Sequence, residues 1–175
     1  MLLDRVSVLM HADAATVLLL NPQTNLLEFA SGSGLRTNAL KSMRLKFGEE
    51  YAGRAALERR LIHISDIRSE TMELPRSAIF RQENFVTYWG VPLIAKGRVL
   101  GVLELFHRSA FALDPDLITF LDTVADKAAI AITLVGVACG LCSLGVARRG
   151  GCHWAHSFVV LDWLVFGCAA ALAGQ

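Results

Sequence analysis

The run Val86-Thr-Tyr-Trp-Gly-Val-Pro-Leu-Ile-Ala95, then Lys96-Gly97, then Arg98-Val-Leu-Gly-Val-Leu-Glu-Leu-Phe106 decides the fold. Two segments rich in β-branched and aromatic residues flank a two-residue linker that ends in glycine. That pattern predicts a β-hairpin. A hairpin of this length needs further strands or helices to cover its apolar faces. The flanking sequence supplies both.

Downstream, Asp114-Pro115 is a strong helix start, with Asp placed to cap and Pro suited to the first helical turn. Leu117, Phe120, Leu121, Val124, Ala128 and Ile132 follow as one apolar stripe. Upstream, Leu61-Ile-His-Ile-Ser65 reads as a short strand, and Glu49 to Arg60 as a helix with Tyr51, Ala55 and Leu57 available for one face. Gly48 breaks the alternating run Met43-Arg-Leu-Lys-Phe47, which predicts a half-buried edge strand. Earlier still, Ala15 to Leu20 and Leu26 to Ala30 predict strands joined by the turn chemistry of Asn21-Pro-Gln-Thr-Asn25. Ser31-Gly-Ser-Gly34 reads as the turn that ends the second of them. Leu2, Val6, Leu9 and Met10 recur at helical spacing, and the short helix they predict reads as truncated at its start. The segment Asp66 to Phe85 is polar and irregular, with a short helix expected near Ser77 to Arg81. The predicted class is α+β: an antiparallel sheet of about six strands, with the first and last helices packed together on one face. Leu18, Leu93, Leu103, Leu105, Phe120 and Val124 are the expected core.

Composition divides the chain in two. The residues up to Thr133 hold 15 of the 17 Lys and Arg and 15 of the 16 Asp and Glu. This body is neutral with mixed signs, which argues against nucleic acid as a partner. All four cysteines lie later, at positions 139, 142, 152 and 168, so no thiol chemistry is expected in the body. The start of the chain lacks the pattern of a secretory signal, and the body is expected to be cytoplasmic.

The residues Gly48-Glu-Glu-Tyr-Ala-Gly-Arg-Ala-Ala-Leu-Glu-Arg-Arg-Leu-Ile-His-Ile-Ser-Asp66 resemble the middle of bacterial GAF domains. There one glycine precedes a helix, a second (here Gly53) lets it pack closely, and an Asp closes the next strand. Gly90 to Phe106 is similar to the family's paired central strands, and Asp114 to Ile132 to its last helix. The match spans positions 1–133, about three quarters of the chain. It is nearest to GAF domains that precede HD-GYP cyclic di-GMP phosphodiesterase or histidine kinase modules, and no such output module is legible here. The resemblance implies a ligand cavity on one face of the sheet and a homodimer formed through the first and last helices. It does not fix a ligand: the Asn-Lys pair of the cyclic-nucleotide members and the body cysteine of the bilin-binding members are both missing.

No G-x-S-x-G, H-E-x-x-H or phosphate-binding G-x-x-x-x-G-K-[ST] motif occurs. The expected function is therefore a small-molecule-sensing regulatory domain without catalysis of its own. The alternatives are a structural dimerisation module with an empty or filled pocket, and a small redox enzyme, which would need cysteines in the body. The candidate ligand-binding residues are Ile64, Arg76, Phe80, Arg81, Phe85, Tyr88 and Glu104. Ile64, Phe80, Phe85 and Tyr88 would border a cavity. Glu104, inside an apolar strand, would accept from a ligand amine or else point outward. Arg76 and Arg81, with Tyr88 and Trp89, would clamp an anionic or planar ligand; otherwise Trp89 fills the core and the arginines are solvated. His63, His107 and the pair His11 and Asp13 read as strand or surface residues, and neither a metal nor any particular cofactor is expected.

Residues 134–175 are apolar and carry only Arg148, Arg149 and Asp162 as charges. Ala138 to Gln175 are expected to make few specific contacts with the sheet, and the body to fold without them. Two readings stand: a sequence outside the native reading frame, or a membrane segment that would associate the domain with a bilayer. Cys139-x-x-Cys142 with Cys152, His153 and His156 is too irregular for a zinc site.

Overall fold

Lys96 and Gly97 both take left-handed backbone (φ 50° and 72°), the conformation that a two-residue turn requires to match the twist of its strands. They join β5 (Thr87–Ala95) to β6 (Arg98–His107), with Ala95 paired to Arg98. The computed structural model describes residues 2–69, 74–112 and 114–144, without the side chains of Leu2 and of residues 135–144. Before the hairpin run α1 (Leu2–Leu9), β1 (Ala14–Asn21), β2 (Leu26–Ser33), β3 (Arg44–Leu45), α2 (Glu50–Glu58), β4 (Ile62–Ile64) and α3 (Ser77–Glu83); α4 (Pro115–Leu144) follows it. The strands form one six-stranded sheet in the order β3-β2-β1-β6-β5-β4, and every neighbouring pair is antiparallel.

Both faces of the sheet are covered, and strand alternation sorts the core into two layers. Ala15, Val17, Trp89, Val91, Leu93, Leu103 and Leu105 face α1 and α4, where they meet Leu3, Val6, Met10, Leu121, Ala125, Ala128 and Ala129. Leu18, Tyr88, Val102 and Phe106 face the other way, against α2, α3 and the loops around them. The first and last helices thus share one face, as expected.

The phase of α4 differs from the expected stripe. Leu121 is fully buried, whereas Phe120 is 37% exposed and Val124 only half-buried. The contact stripe is Leu121, Ala125, Ala128 and Ala129 because small side chains let the helix lie close to the sheet. Leu57 likewise points outward from α2. The Ser31-Gly32-Ser33 run is strand, not turn: Ala15, Thr16 and Val17 pair with Ser33, Gly32 and Ser31, and pairing along β1 overrides the local turn preference. The turn falls at Gly34 (φ 75°), where a Cβ would stand 2.1 Å from the Asp13 carbonyl oxygen. The Asp114 cap is present, its carboxylate accepting the Leu117 amide at 2.8 Å.

α4 runs unbroken through Thr133 to Leu144. Among the described residues no helix is long and apolar enough to cross a membrane. The expectations for 145–175 lie outside the described residues.

Candidate functional site

On the face away from α1 and α4, the sheet carries a buried ionic cluster. Thr16 of β1 and Gly90 of β5 both stand opposite Glu104 of β6. Strand alternation turns Leu103 and Leu105 toward the helices and Glu104 the other way. Because α2 and α3 cover that face, Glu104 is buried (1% exposed) and does not point outward. Its carboxylate accepts from Thr16 Oγ1 at 2.7 Å, from Tyr88 Oη at 3.1 Å and from Arg76 Nη1 at 3.2 Å.

Arg76 precedes α3 and is itself 1% exposed. Its guanidinium lies between two carboxylates: Nη2 is 2.9 Å from Glu104 Oε1, and Nε donates to Glu50. The Arg76 backbone amide also donates to Glu50 Oε1, at 2.7 Å. Burial alone would lower the Arg76 pKa; the carboxylates of Glu104 and Glu50 outweigh it and hold the guanidinium above its ordinary range. Burial, reinforced by the Glu104 charge, pushes the Tyr88 phenol well above its ordinary value, so it stays a donor.

Glu50 opens α2 with a left-handed backbone (φ 54°). The other non-glycine residues with positive φ include Arg59 and Asn84 at helix C-caps and Asn25 and Lys96 in turns; Glu50 is a buried charge held in that conformation. What holds it is the close return of the chain at Gly53, whose carbonyl accepts the Gly48 amide at 2.8 Å. A Cβ on Gly53 would stand 2.3 Å from the Lys46 carbonyl oxygen. Gly53 therefore does what its place in the sequence suggested, and α2 starts where it can deliver Glu50 to the cluster.

Aromatic rings enclose the ions. Phe80 lies 5.0 Å from the Arg76 guanidinium carbon. Tyr51 approaches Tyr88 at 5.1 Å, and Phe85 stacks on Phe106 at 4.4 Å. Arg76, Phe80, Phe85, Tyr88 and Glu104 are thus brought together, and Ile64 packs half-buried at the margin of the same layer. Arg81 is exposed on α3 and does not join them. Trp89, one residue on from Tyr88, faces the α4 layer and carries His63 stacked on its ring at 3.7 Å. Sequence reasoning missed Glu50 and Thr16. Glu50 looks like a solvated acid at a helix start, and only its position between two glycines, Gly48 and Gly53, hints otherwise.

A second cluster fixes the far end of α3. Glu83 is fully buried and accepts from the Arg36 and Thr37 amides at 2.9 and 2.7 Å and from Arg108 Nη2 at 3.2 Å. Burial opposes its ionisation, but these donors outweigh burial and hold its pKa below the ordinary value. Elsewhere, His107 Nε2 meets the Met10 carbonyl oxygen at 3.1 Å, and burial lowers its pKa. His11 lies at the surface, and no group of three or more His, Cys, Asp or Glu able to hold a metal is present among the described residues.

A six-stranded antiparallel sheet with the terminal helices on one face and further helices on the other defines a class of small α+β domains. The chain belongs to the GAF domain family, whose model matches residues 1–133, and that family is one of sensory and signalling domains. Among solved structures, the chain is similar to the GAF domain of a phosphoenolpyruvate-protein phosphotransferase from Coxiella burnetii, with 21% identity, TM-score 0.69, and 79% of this chain and 82% of that one covered. It is similar to the GAF domain of a two-component sensor histidine kinase from Bacillus halodurans, with 18% identity, TM-score 0.69, and coverage of 78% and 92%. It is also similar to NreA of Staphylococcus aureus, mutated in its nitrate binding site, with 23% identity, TM-score 0.56, and coverage of 64% and 84%. At these identities the likeness is one of fold. No curated protein sequence matches.

Proposed function

We propose that this chain is a small-molecule-sensing regulatory domain with no catalysis of its own. The observation that carries the reading is the Glu50–Arg76–Glu104 cluster, buried under α3 on the face opposite the terminal helices. Well-packed apolar residues at such a place are often equally stable or more so, so stability alone does not account for it. A charged residue held in left-handed backbone beside it is the kind of local strain that gathers at ligand sites. A ligand that favours one arrangement of α3 and the cluster shifts the population of that arrangement. β1, β5 and β6 carry both layers, so the shift reaches α1 and α4, which pass it to an output such as a histidine kinase or a cyclic di-GMP phosphodiesterase.

On this reading the domain acts in the cytoplasm and as a homodimer; the exposed apolar side chains Val8 and Leu9 on α1 and Phe120, Ile130 and Leu134 on α4 support the dimer. One observation favours the second reading, a structural dimerisation module: Phe80, Phe85, Tyr88 and Phe106 pack on one another where a ligand would lie. Native mass spectrometry of the purified full chain separates the two. A retained small molecule on the dimer is expected; a dimer with no added mass, unchanged by a metabolite panel, would favour the structural module.

A further inference from the structure

We propose that Glu50 and Glu104 form a cation site whose ligand carries a guanidinium or primary ammonium group, and that Arg76 fills this site from within the chain as a tethered competitor. The proposal rests on the ligand-sensing reading above and names its ligand class.

The charge balance excludes the opposite class. Two buried carboxylates face one guanidinium, so the cluster has a formal surplus of one negative charge. An added anion would increase that surplus in a low-dielectric interior, whereas a cation that takes the place of Arg76 leaves it unchanged. Arg76 is already engaged by both carboxylates and is not free to clamp an anion.

The groups around the Arg76 guanidinium have the chemistry of a cation receptor. Glu104 and Glu50 present acceptors from two different elements, and Thr16 and Tyr88 orient Glu104 by donating to it. Phe80, Tyr51 and Tyr88 supply aromatic walls, the environment that desolvated organic cations favour. Arg76 does not satisfy the site fully. Its Nη2 is buried 2.9 Å from Glu104 Oε1 but makes no aligned hydrogen bond. A guanidinium free of the Arg76 backbone can align where the tethered one does not.

The attachment of Arg76 suits displacement. It stands at the N-terminal end of α3, a helix of seven residues held at that end by the same Glu50 carboxylate, which accepts the Arg76 amide at 2.7 Å and for which a ligand cation would compete. The other end is fixed by Glu83 to Arg36, Thr37 and Arg108. A competing cation can therefore release the Arg76 end while α3 stays anchored through Glu83.

The test uses the full chain as wild type, Arg76→Ala, and Arg76→Ala with Glu104→Gln. Thermal unfolding is followed with methylguanidinium, methylammonium or nitrate at constant ionic strength. Methylguanidinium at a hundredfold excess over its Kd should raise the Tm of Arg76→Ala by about 5 °C or more. Adding Glu104→Gln should weaken that response at least about tenfold, and so should restoring Arg76, because the tethered group competes. An Arg76→Ala chain indifferent to both cations overturns the proposal. Stabilisation by nitrate overturns the cation class while leaving the sensing reading intact; that reading fails separately, if native mass spectrometry finds no retained mass. Should Arg76→Ala not fold, calorimetric titration of the wild type with agmatine decides. A saturable heat that Glu104→Gln removes supports the site, and no heat overturns it.

Discussion

Replacing Gly53 by alanine sets two physical effects against each other. Helix propensity alone favours alanine inside α2 by about 1 kcal/mol. The new methyl, however, would lie 2.3 Å from the Lys46 carbonyl oxygen and 3.1 Å from the Gly48 amide nitrogen. Ordinary contact begins near 3.4 Å, so helix and loop must separate by about 1 Å. Both partners are backbone, and no rotamer change relieves the clash. Separation also strains the Gly48 amide to Gly53 carbonyl bond of 2.8 Å. Overpacking of this kind costs about 1–3 kcal/mol, and a weakened hydrogen bond adds about 1 kcal/mol. After the propensity gain is subtracted, a net loss of about 1–3 kcal/mol is expected. For a chain of this size that corresponds to a Tm lower by about 2–12 °C. Urea unfolding followed by circular dichroism should show a lower midpoint with an unchanged slope. A Gly53→Ala chain as stable as the wild type, or more stable, would refute the close approach and with it the placement of Glu50.

Five further outcomes are expected. Leu103→Ala should cost about 2–5 kcal/mol in chemical denaturation, because a central strand covered on both faces cannot collapse around the hole; a loss under about 1 kcal/mol would displace Leu103 from the core. Phe120→Ala should cost far less than Leu121→Ala, and equal losses would contradict the phase of α4. The lowered pKa of Glu83 adds stability that is present above its ordinary value of about 4.3 and is lost as pH falls through the folded value. Glu83→Gln should therefore flatten the acid limb of stability against pH. His107 and His63, both lowered by burial, act in the same direction from about pH 6.5 downward: replacing both should remove the slope there, and a slope unchanged in the double variant would refute their neutrality. A chain ending at Thr133 should stay soluble and unfold in one sharp transition, since the family match ends there; aggregation would make the later residues part of the fold.

The hairpin was legible because Lys96-Gly97 is local chemistry, and the role of Gly53 through the resemblance to GAF domains, in which a glycine at that place lets the helix pack closely. The capped start of α4 and the edge strand at Arg44–Leu45 were legible for the same local reasons. Features that depend on partners distant in sequence were not. The extension of β2 through Ser31-Gly32-Ser33 depends on pairing with β1, not on its own composition. The phase of α4 is set by how closely the helix approaches β5, which favours Ala125 and Ala129 over the larger Phe120 and Val124. In the site, Glu104 was legible as a lone acid in an apolar strand, but its partner Glu50 lies 54 residues earlier. Arg76 and Arg81 look alike in sequence. They are separated in the fold because Arg76 precedes α3 on the inner side and Arg81 sits on its outer surface.

The continuity of α4 past Thr133 gives the domain a lever. From Ala129, the last residue of the stripe that the sheet grips, to Leu144 the rod runs about 22 Å at 1.5 Å per residue. A tilt of about 5° at the grip moves the far end by about 2 Å. Repacking of a side chain near Ala128 or Ala129, too small to disturb the fold, is thereby enlarged at the far end of the helix.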